Sequence, residues 1–220
     1  MTKIKICGIT QSTEIDYLNK YLPDYAGFVF AKSKRRVTAD SAAILSAYLT
    51  QEIKKVGVFV DMDSSNAALI AAQVGLDVLQ LHGSEDDKYI KTLRPLLKPK
   101  TEIWKAVRVS PGQMFTHTIA SDNEPAAGLI CSTTADRILL DSYVPDCNGG
   151  SGKTFDWTLA SQFGSTLPIV LAGGLNPNNV REAIDLVHPF AVDVSSGVEG
   201  EGIKDERKLR EFIEAVRNIS

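Results

Sequence analysis

The stretch ILLDSYVPDCNGGSGKTFDW, residues 138–157, decides the fold class of this chain. Three apolar residues are followed directly by a carboxylate, Asp141, and then by a loop that contains Gly149, Gly150 and Gly152. A short apolar run that ends in an acid and a glycine-rich loop is typical of a buried parallel strand with a polar side chain at its carboxyl end. Single strand-end acids are common, so this pattern gains meaning only if other strands end in the same way.

Seven further β-rich runs have this form. The predicted strands are KIKIC (3–7), YAGFVF (25–30), KVGVFV (55–60), DVLQLH (77–82), EIWKAV (102–107), RILLD (137–141), PIVLAG (168–173) and FAVDVS (190–195). Helical spacing lies between them in SAAILSAYL (41–49), NAALIAAQVGL (66–76) and KDERKLREFIEAVRNI (204–219). The strands start roughly 22 to 35 residues apart, which is the repeat of strand–helix units in a closed parallel barrel. We therefore predict an α/β fold, a (β/α)8 TIM barrel in which residues 1–220 form a single domain.

Helix starts can also be predicted. Asn176 is a good N-cap before Pro177 at the first helical position, and Thr154 begins an apolar-periodic segment that contains Trp157. The fifth helix of the barrel is expected in the interval 110–136, where the apolar pattern is weak.

Composition excludes several classes of protein. The chain has 220 residues, 44% of them hydrophobic, and a formal net charge of −3, which gives no basic field for nucleic acid or an anionic membrane. No apolar run is long enough to span a bilayer, and the start of the sequence lacks the pattern of a signal peptide. The three cysteines and three histidines lack metal-ligand spacing. We expect a soluble cytoplasmic protein with free thiols and no metal.

Cys7 ends the first strand, and Gly8 lets the chain turn there. Strand alternation places Lys5 on the same face as Cys7, so a cation is expected to lower the pKa of the thiol and favour the thiolate. A lysine inside a barrel needs a counter-charge, and Asp193 on the adjacent eighth strand is the predicted partner. The alternative is that Cys7 is a small buried apolar residue without a function.

Asp141 is the candidate proton donor, because a partly buried carboxylic acid at a strand end suits that role. The alternative is a solvated acid that caps a loop. His82 ends the fourth strand and lines the site or only binds the local backbone. A thiol base and a carboxylic acid at one barrel mouth would suit an isomerisation that moves protons.

The segment GSGKT (150–154) is similar to the end of a nucleotide P-loop. The full motif requires a glycine five positions before Gly152, where this chain has Cys147, and the loop begins with an acid that would repel phosphate. We therefore expect a flexible lid over the substrate rather than a nucleotide site.

Two later loops together predict a phosphate site. Gly173 and Gly174 follow the seventh strand, and Ser195, Ser196 and Gly197 follow the eighth. Backbone N–H groups after these two strands bind phosphate in many barrels of this type. We therefore expect a small phosphorylated substrate.

Four cations, Lys32, Lys34, Arg35 and Arg36, follow the second strand. Such a run is either a solvated loop or the source of an arginine that binds a substrate carboxylate through two hydrogen bonds.

The assembled blocks strongly resemble the phosphoribosylanthranilate isomerases of tryptophan biosynthesis. The blocks are KICGIT (5–10), GFVF with KSKRR (27–36), VGVFVD (56–61), LQLHG (79–83), LLDS (139–142), GGSGKTFDW (149–157), AGGLNPNNV (172–180) and AVDVSSGVE (191–199). The resemblance implies that Cys7 is the general base, that Asp141 is the general acid and that an arginine of the strand-two loop binds the anthranilate carboxylate. Arg35 matches that position best, and Arg36 is the alternative. From their positions at the barrel mouth, we also count His82, Asp193 and the two phosphate loops among the candidate substrate-binding residues.

The implied reaction is the Amadori rearrangement of N-(5-phosphoribosyl)anthranilate to 1-(o-carboxyphenylamino)-1-deoxyribulose 5-phosphate. This aldose–ketose isomerisation is formally an intramolecular oxidoreduction, and the resemblance implies that it needs no cofactor and no metal. We expect a monomer or a weak homodimer. Two alternatives are a histidine-pathway aminoaldose isomerase, which is expected to have a carboxylate at the position of Cys7, and a catalytically silent sensor of phosphorylated ligands on the same fold.

Overall fold

Eight parallel strands form a closed barrel in which each strand pairs with its neighbours in chain order. The structure is a computed structural model, and it describes residues 1–109, 133–142, 157, 160 and 167–218. The barrel strands are β1 Lys3–Cys7, β2 Tyr25–Val29, β3 Lys54–Phe59, β4 Val78–Leu81, β5 Glu102–Val109, β6 Arg137–Ser142, β7 Ile169–Leu171 and β8 Ala191–Val194. The (β/α)8 barrel predicted from strand spacing is confirmed.

Six helices lie in the described part of the chain, and a short hairpin follows β8. The helices are α1 Ser12–Tyr21, α2 Ala39–Ala47, α3 Ser64–Val74, α4 Asp87–Leu93, α5 Val180–Val187 and α6 Glu206–Arg217, and the hairpin strands are β9 Glu199–Gly200 and β10 Ile203–Lys204. None of the described helices is long and apolar enough to cross a membrane.

Capping residues explain where the predicted helices begin. Thr38 accepts a hydrogen bond from the Ser41 N–H, and Asp63 accepts from two N–H groups at the start of α3. Asp205 accepts from the Lys208 N–H in the first turn of α6. Each cap satisfies backbone donors that would otherwise lack a partner, so helix α2 and helix α3 begin two residues before the apolar pattern does.

The helix start predicted at Asn176 was wrong by three residues, since α5 begins at Val180. Asn176 instead caps the preceding turn, where its Oδ1 accepts from the Asn178 N–H at 2.9 Å. Its carbonyl oxygen accepts from the Val180 N–H at 3.1 Å and so leads the chain into the helix. Thr154, the other predicted helix start, and residues 110–132 lie outside the described residues, whereas Trp157 is helical and buried.

Apolar side chains fill the barrel interior near the amino-terminal ends of the strands. Tyr25, Trp104, Leu139, Val170 and Ala191 belong to one buried cluster, in which the Tyr25 and Trp104 rings meet edge to face. A second, larger cluster packs the outer faces of the strands against the helices. Side chains alternate along a strand, so a residue two positions after a member of this interior cluster also points into the barrel. Such a residue lies closer to the carboxyl end of its strand, where the active sites of these barrels are found.

Candidate active site

Cys7 and Lys5 lie together on the barrel interior at the end of β1. A Cβ atom added at Gly27 of the neighbouring strand would lie 3.0 Å from the Cys7 Sγ and 3.3 Å from the Lys5 Nζ. The absence of a side chain at Gly27 therefore leaves the space that the thiol and the ammonium share. The face predicted from strand alternation is the one observed.

Lys5 forms the buried ion pair that the sequence predicted. Its Nζ lies 2.8 Å from Asp193 Oδ2, and the two side chains are 0% and 8% exposed. The pair arises because Lys5 is in register with Asp193 where β1 and β8 close the barrel. Asp193 Oδ1 is buried and has no hydrogen-bond partner among the described residues, so this oxygen can accept a hydrogen bond from a ligand.

Two opposed effects act on the pKa of the Cys7 thiol. Burial raises the pKa of the Cys7 thiol, while Lys5 lowers it by less, so the pKa lies above its ordinary value. The predicted effect of Lys5 on the thiol is therefore present, but desolvation of the charged form outweighs it. Burial lowers the pKa of Lys5, but Asp193 and Cys7 raise it by more, so Lys5 remains an ammonium.

Asp141 points into the barrel mouth from β6. It lies two residues beyond Leu139, a member of the interior cluster, and β7 and β8 separate its strand from that of Cys7. Its Oδ2 lies 3.2 Å from His82 Nε2, and the two side chains are 29% and 19% exposed. The structure therefore brings His82 to the candidate proton donor, as one of the two interpretations of the sequence required.

Gln80 is a residue of this group that the sequence analysis missed. Its amide nitrogen lies 2.9 Å from His82 Nδ1, and the side chain is buried. When that amide donates, Nδ1 accepts, so Nε2 carries the proton and donates to Asp141. Alternation along LQLH places Gln80 and His82 on one face, and this signal could have identified Gln80.

Arg35 crosses the end of β1. Gly8 has φ of 85°, and a Cβ there would collide with the Arg35 side chain, so glycine is required for this approach. Arg35 Nε and Nη2 donate to the two carboxylate oxygens of Glu199 at 2.5 and 2.6 Å. Arg36 is exposed, which leaves Arg35 as the arginine of this loop that enters the site.

Two residues of the β9–β10 hairpin were also missed by the sequence analysis. Lys204 Nζ lies 2.7 Å from Glu199 Oε1 and 3.1 Å from the carbonyl oxygen of Ser195. Burial lowers the pKa of Lys204, although Glu199 acts in the opposite direction. Glu199 was visible in the sequence only as the last letter of VSSGVE, without any sign of its partner.

The two predicted phosphate loops contact each other. Gly173 and Gly174 have φ values of 84° and 68°, which favour glycine. Gly197 packs directly on the carbonyl group of Leu175, and Ser196 begins a short 3-10 turn. The Ser195 hydroxyl donates to the carbonyl oxygen of Cys7 at 3.0 Å, which joins the β8 loop to the end of β1.

Several predicted features lie elsewhere. Outside the described residues lie the predicted lid segment 150–154 and the residues Cys147, Cys131 and His117. His188 is exposed at the end of α5. Among the described residues, no group of three or more His, Cys, Asp and Glu side chains is placed to bind a metal ion.

Comparison with known proteins gives one consistent result. Residues 4–215 match the family model described as N-(5'-phosphoribosyl)anthranilate isomerase. The isomerase of Acetivibrio thermocellus is 44% identical over 222 residues, which cover 99% of this chain and 96% of that protein. The isomerase of a Thermoanaerobacter species is 44% identical over 219 residues and the full length of both chains.

Solved structures agree with the sequence comparisons. The phosphoribosyl anthranilate isomerase of Thermotoga maritima has a TM-score of 0.84 and 38% identity over the whole of both chains. A second structure with that enzyme name contains reduced 1-(o-carboxyphenylamino)-1-deoxyribulose 5-phosphate, and it matches with a TM-score of 0.80 and 35% identity over both complete chains. The chain therefore belongs to the N-(5'-phosphoribosyl)anthranilate isomerase family.

Proposed function

We propose that this chain converts N-(5'-phosphoribosyl)anthranilate into 1-(o-carboxyphenylamino)-1-deoxyribulose 5-phosphate, with Cys7 as the general base and Asp141 as the general acid. The main support for these two roles is the position of the Cys7 and Asp141 side chains. A thiol and a carboxyl group point into one barrel mouth from β1 and β6, with Arg35 and the two glycine-containing loops on the side of β1. The complex of a related isomerase with a reduced form of the product supports the substrate class.

The first step opens the sugar ring. Asp141 gives a proton to the ring oxygen as the bond from C1 to that oxygen breaks, and the lone pair of the anthranilate nitrogen forms a C1–N double bond. His82 holds Asp141 Oδ2 at 3.2 Å and so restricts the rotation of the carboxyl group. The carboxyl group becomes a carboxylate, and the substrate becomes an open-chain iminium ion.

The second step moves the proton that defines the product. Cys7, as the thiolate, removes the proton from C2, and the electron pair forms a C1–C2 double bond while the nitrogen regains its lone pair. The resulting enolamine gains a proton at C1 and loses its hydroxyl proton to become the ketone. Burial raises the pKa of the Cys7 thiol, so the thiolate, once formed, is a stronger base. The nearby ammonium of Lys5 stabilises this thiolate.

Different residues bind the two anionic groups of the substrate, the anthranilate carboxylate and the phosphate. Arg35 binds the carboxylate of the anthranilate ring, and the N–H groups of the loops at Gly173–Gly174 and Ser195–Gly197 bind the phosphate. Asp193 Oδ1, which is buried without a partner among the described residues, accepts a hydrogen bond from a sugar hydroxyl. The loop contact between Gly197 and Leu175 supports a single phosphate site rather than two separate turns.

The direct test follows the fluorescence of N-(5-phosphoribosyl)anthranilate generated in place, with wild type, Cys7→Ser and Asp141→Asn compared. Wild type is expected to remove the signal, and each variant to lose about 100- to 10,000-fold in turnover. Near-normal turnover in one variant would remove that residue from its role. Binding of a product analogue without any turnover by wild type would instead indicate the sensor, and turnover of only the histidine-pathway aminoaldose would indicate the other isomerase.

Three expectations from the sequence remain predictions. They are that residues 1–220 form one domain, that the protein acts in the cytoplasm, and that it is a monomer or a weak homodimer. One solved relative consists of generated monomers of the dimeric isomerase of Thermotoga maritima, so a homodimer is known for that relative. Sedimentation of this chain over a range of concentrations measures its own state.

A further inference from the structure

Glu199 fixes the orientation of Arg35. The carboxylate accepts from Nε and Nη2 of the guanidinium, and two parallel N–H···O bonds define the plane of that group. The Arg35 side chain is 23% exposed and that of Glu199 is 8% exposed, so the pair is formed in a partly dehydrated place. Glu199 binds the edge of the guanidinium formed by Nε and Nη2. The edge formed by Nη1 and Nη2 is then the one that can donate to a second carboxylate.

A simple pair of Arg35 and Glu199 would be a poor site for a carboxylate. The charge of the arginine would be cancelled, and the carboxylate of Glu199 would repel that of the substrate. Lys204 changes this balance. Its side chain is fully buried and its Nζ lies 2.7 Å from Glu199 Oε1, so with Lys204 protonated the group has two cations and one anion.

The hairpin after β8 holds this arrangement in place. Glu199 and Lys204 are directly paired across β9 and β10, which places both side chains on one face of the hairpin. The Lys204 N–H donates to Glu14 Oε1, and Glu14 Oε2 accepts from the Thr10 and Gln11 N–H groups in the loop after β1. The hairpin is therefore tied to the loop that follows Cys7.

We propose that Glu199 and Lys204 are positioning residues for the carboxylate of the substrate. Glu199 fixes one edge of Arg35 so that the other edge meets the carboxylate, and Lys204 offsets the charge of Glu199 so that Arg35 keeps its attraction for the anion. The inference rests on the proposed role of Arg35, and neither Glu199 nor Lys204 needs to touch the reacting atoms.

The test compares two substrates that differ only in the carboxylate. N-(5-phosphoribosyl)anthranilate and N-(5-phosphoribosyl)aniline are each formed from the aromatic amine and ribose 5-phosphate, and kcat/KM is measured for both on one preparation of each variant. The ratio of the two values does not depend on the fraction of folded protein. The variants are Arg35→Met, Glu199→Gln and Lys204→Met. The control is Glu211→Gln, which makes the same chemical change in an exposed ion pair of α6.

Arg35→Met is expected to lower kcat/KM for the anthranilate substrate by about 10- to 100-fold, the effect of losing hydrogen bonds to a charged group, and to leave the aniline substrate within about threefold. Glu199→Gln is expected to lower the anthranilate-to-aniline ratio by about tenfold, mainly through KM, because the carboxylate binds in the ground state as well. Lys204→Met is expected to change the ratio in the same direction. Glu211→Gln is expected to leave it unchanged.

Three results would overturn the inference, and they can be distinguished. If Arg35→Met changes the ratio and Glu199→Gln does not, the pair Glu199–Lys204 is only structural, while the proposed role of Arg35 stands. If Arg35→Met affects both substrates equally, the role of Arg35 is itself wrong, and the inference falls with it. A lower KM for the anthranilate substrate in Glu199→Gln would show that Glu199 competes with the substrate instead of positioning Arg35.

Discussion

Gly197 packs on the carbonyl group of Leu175 so closely that a Cβ atom at this position could not be accommodated without a shift of backbone. The contact joins the loop after β8 to the loop after β7, the two loops that we assign to the phosphate. Because the clash is with backbone rather than with the end of a flexible side chain, a substitution at Gly197 has to move one of the loops.

Gly197→Ala is therefore expected to raise KM by about tenfold or more and to reduce the free energy of unfolding by about 1–3 kcal/mol, the usual cost of overpacking. Steady-state kinetics and urea denaturation measure the two effects. Gly200→Ala is a matched control, since a Cβ there would lie 3.4 Å or more from its neighbours, all of them atoms of the Asp205 side chain. An unchanged KM in Gly197→Ala would show that the loop contact does not shape the phosphate site.

Gln80 controls the ring of His82, which in turn contacts Asp141. Gln80→Met keeps the volume of the side chain but removes the donor to Nδ1, so His82 can exchange tautomers and no longer donates steadily to Asp141. We expect kcat to fall by about tenfold with little change in KM, the size of one lost hydrogen bond that acts on the reacting group.

Gln73→Met is the control for this prediction, because the Gln73 amide also donates a hydrogen bond, but to Asp40 on the surface. A kcat equal to that of wild type in Gln80→Met would show that the tautomer of His82 does not matter for turnover. The ¹⁵N chemical shifts of the His82 ring report the tautomer independently of activity.

The barrel and the inner pair could be predicted because both depend on local periodicity. Strand alternation places Lys5 beside Cys7, and closure of the barrel places Asp193 beside Lys5, so no long-range detail was needed. The same alternation would have identified Gln80 from its spacing to His82. The sign of the thiol pKa shift was not predictable, because it depends on how completely Cys7 is buried.

The contacts of Glu199 could not be predicted in this way. Arg35 and Glu199 are separated by 164 positions in the sequence, and they meet only because the hairpin after β8 folds back towards the loop after β2. No periodic pattern carries that information. The start of α5 was missed for a related reason, since Asn176 and Pro177 fit a helix start locally but form a separate turn before it.

The raised pKa of Cys7 can be measured by alkylation with iodoacetamide, because only the thiolate reacts. Burial is the main cause of the shift, so the rate is expected to be half-maximal at a higher pH than for the thiol of glutathione. Lys5→Met removes the cation that lowers the pKa most, and it is expected to move this midpoint further upwards. Mass spectrometry of the Cys7 peptide separates its reaction from those of the other cysteines.

Cys7→Ser is the blank for this experiment, because it removes the peptide signal that is followed. A midpoint below that of glutathione would contradict the prediction, since it would mean that the positive charge of Lys5 outweighs burial.

Variants of the Lys5–Asp193 ion pair distinguish its contribution to stability from its contribution to catalysis. Both side chains are buried, so Lys5→Met leaves an uncompensated carboxylate inside the barrel and is expected to reduce the free energy of unfolding by about 3–5 kcal/mol. Replacing both partners, as in Lys5→Met with Asp193→Leu, removes the buried charge and is expected to restore most of that stability. Turnover is expected to remain low in the double variant, because the thiolate of Cys7 has lost its cation.

Urea denaturation and the fluorescence assay on the same preparations measure stability and turnover. If the double variant is as unstable as Lys5→Met, the shape of the two side chains, rather than the unpaired charge, determines the stability of the barrel interior. If the double variant regains turnover together with stability, Lys5 serves the fold alone, and the thiolate of Cys7 must be stabilised by another group. Lys204 is then the cation to test, because it also lowers the pKa of Cys7.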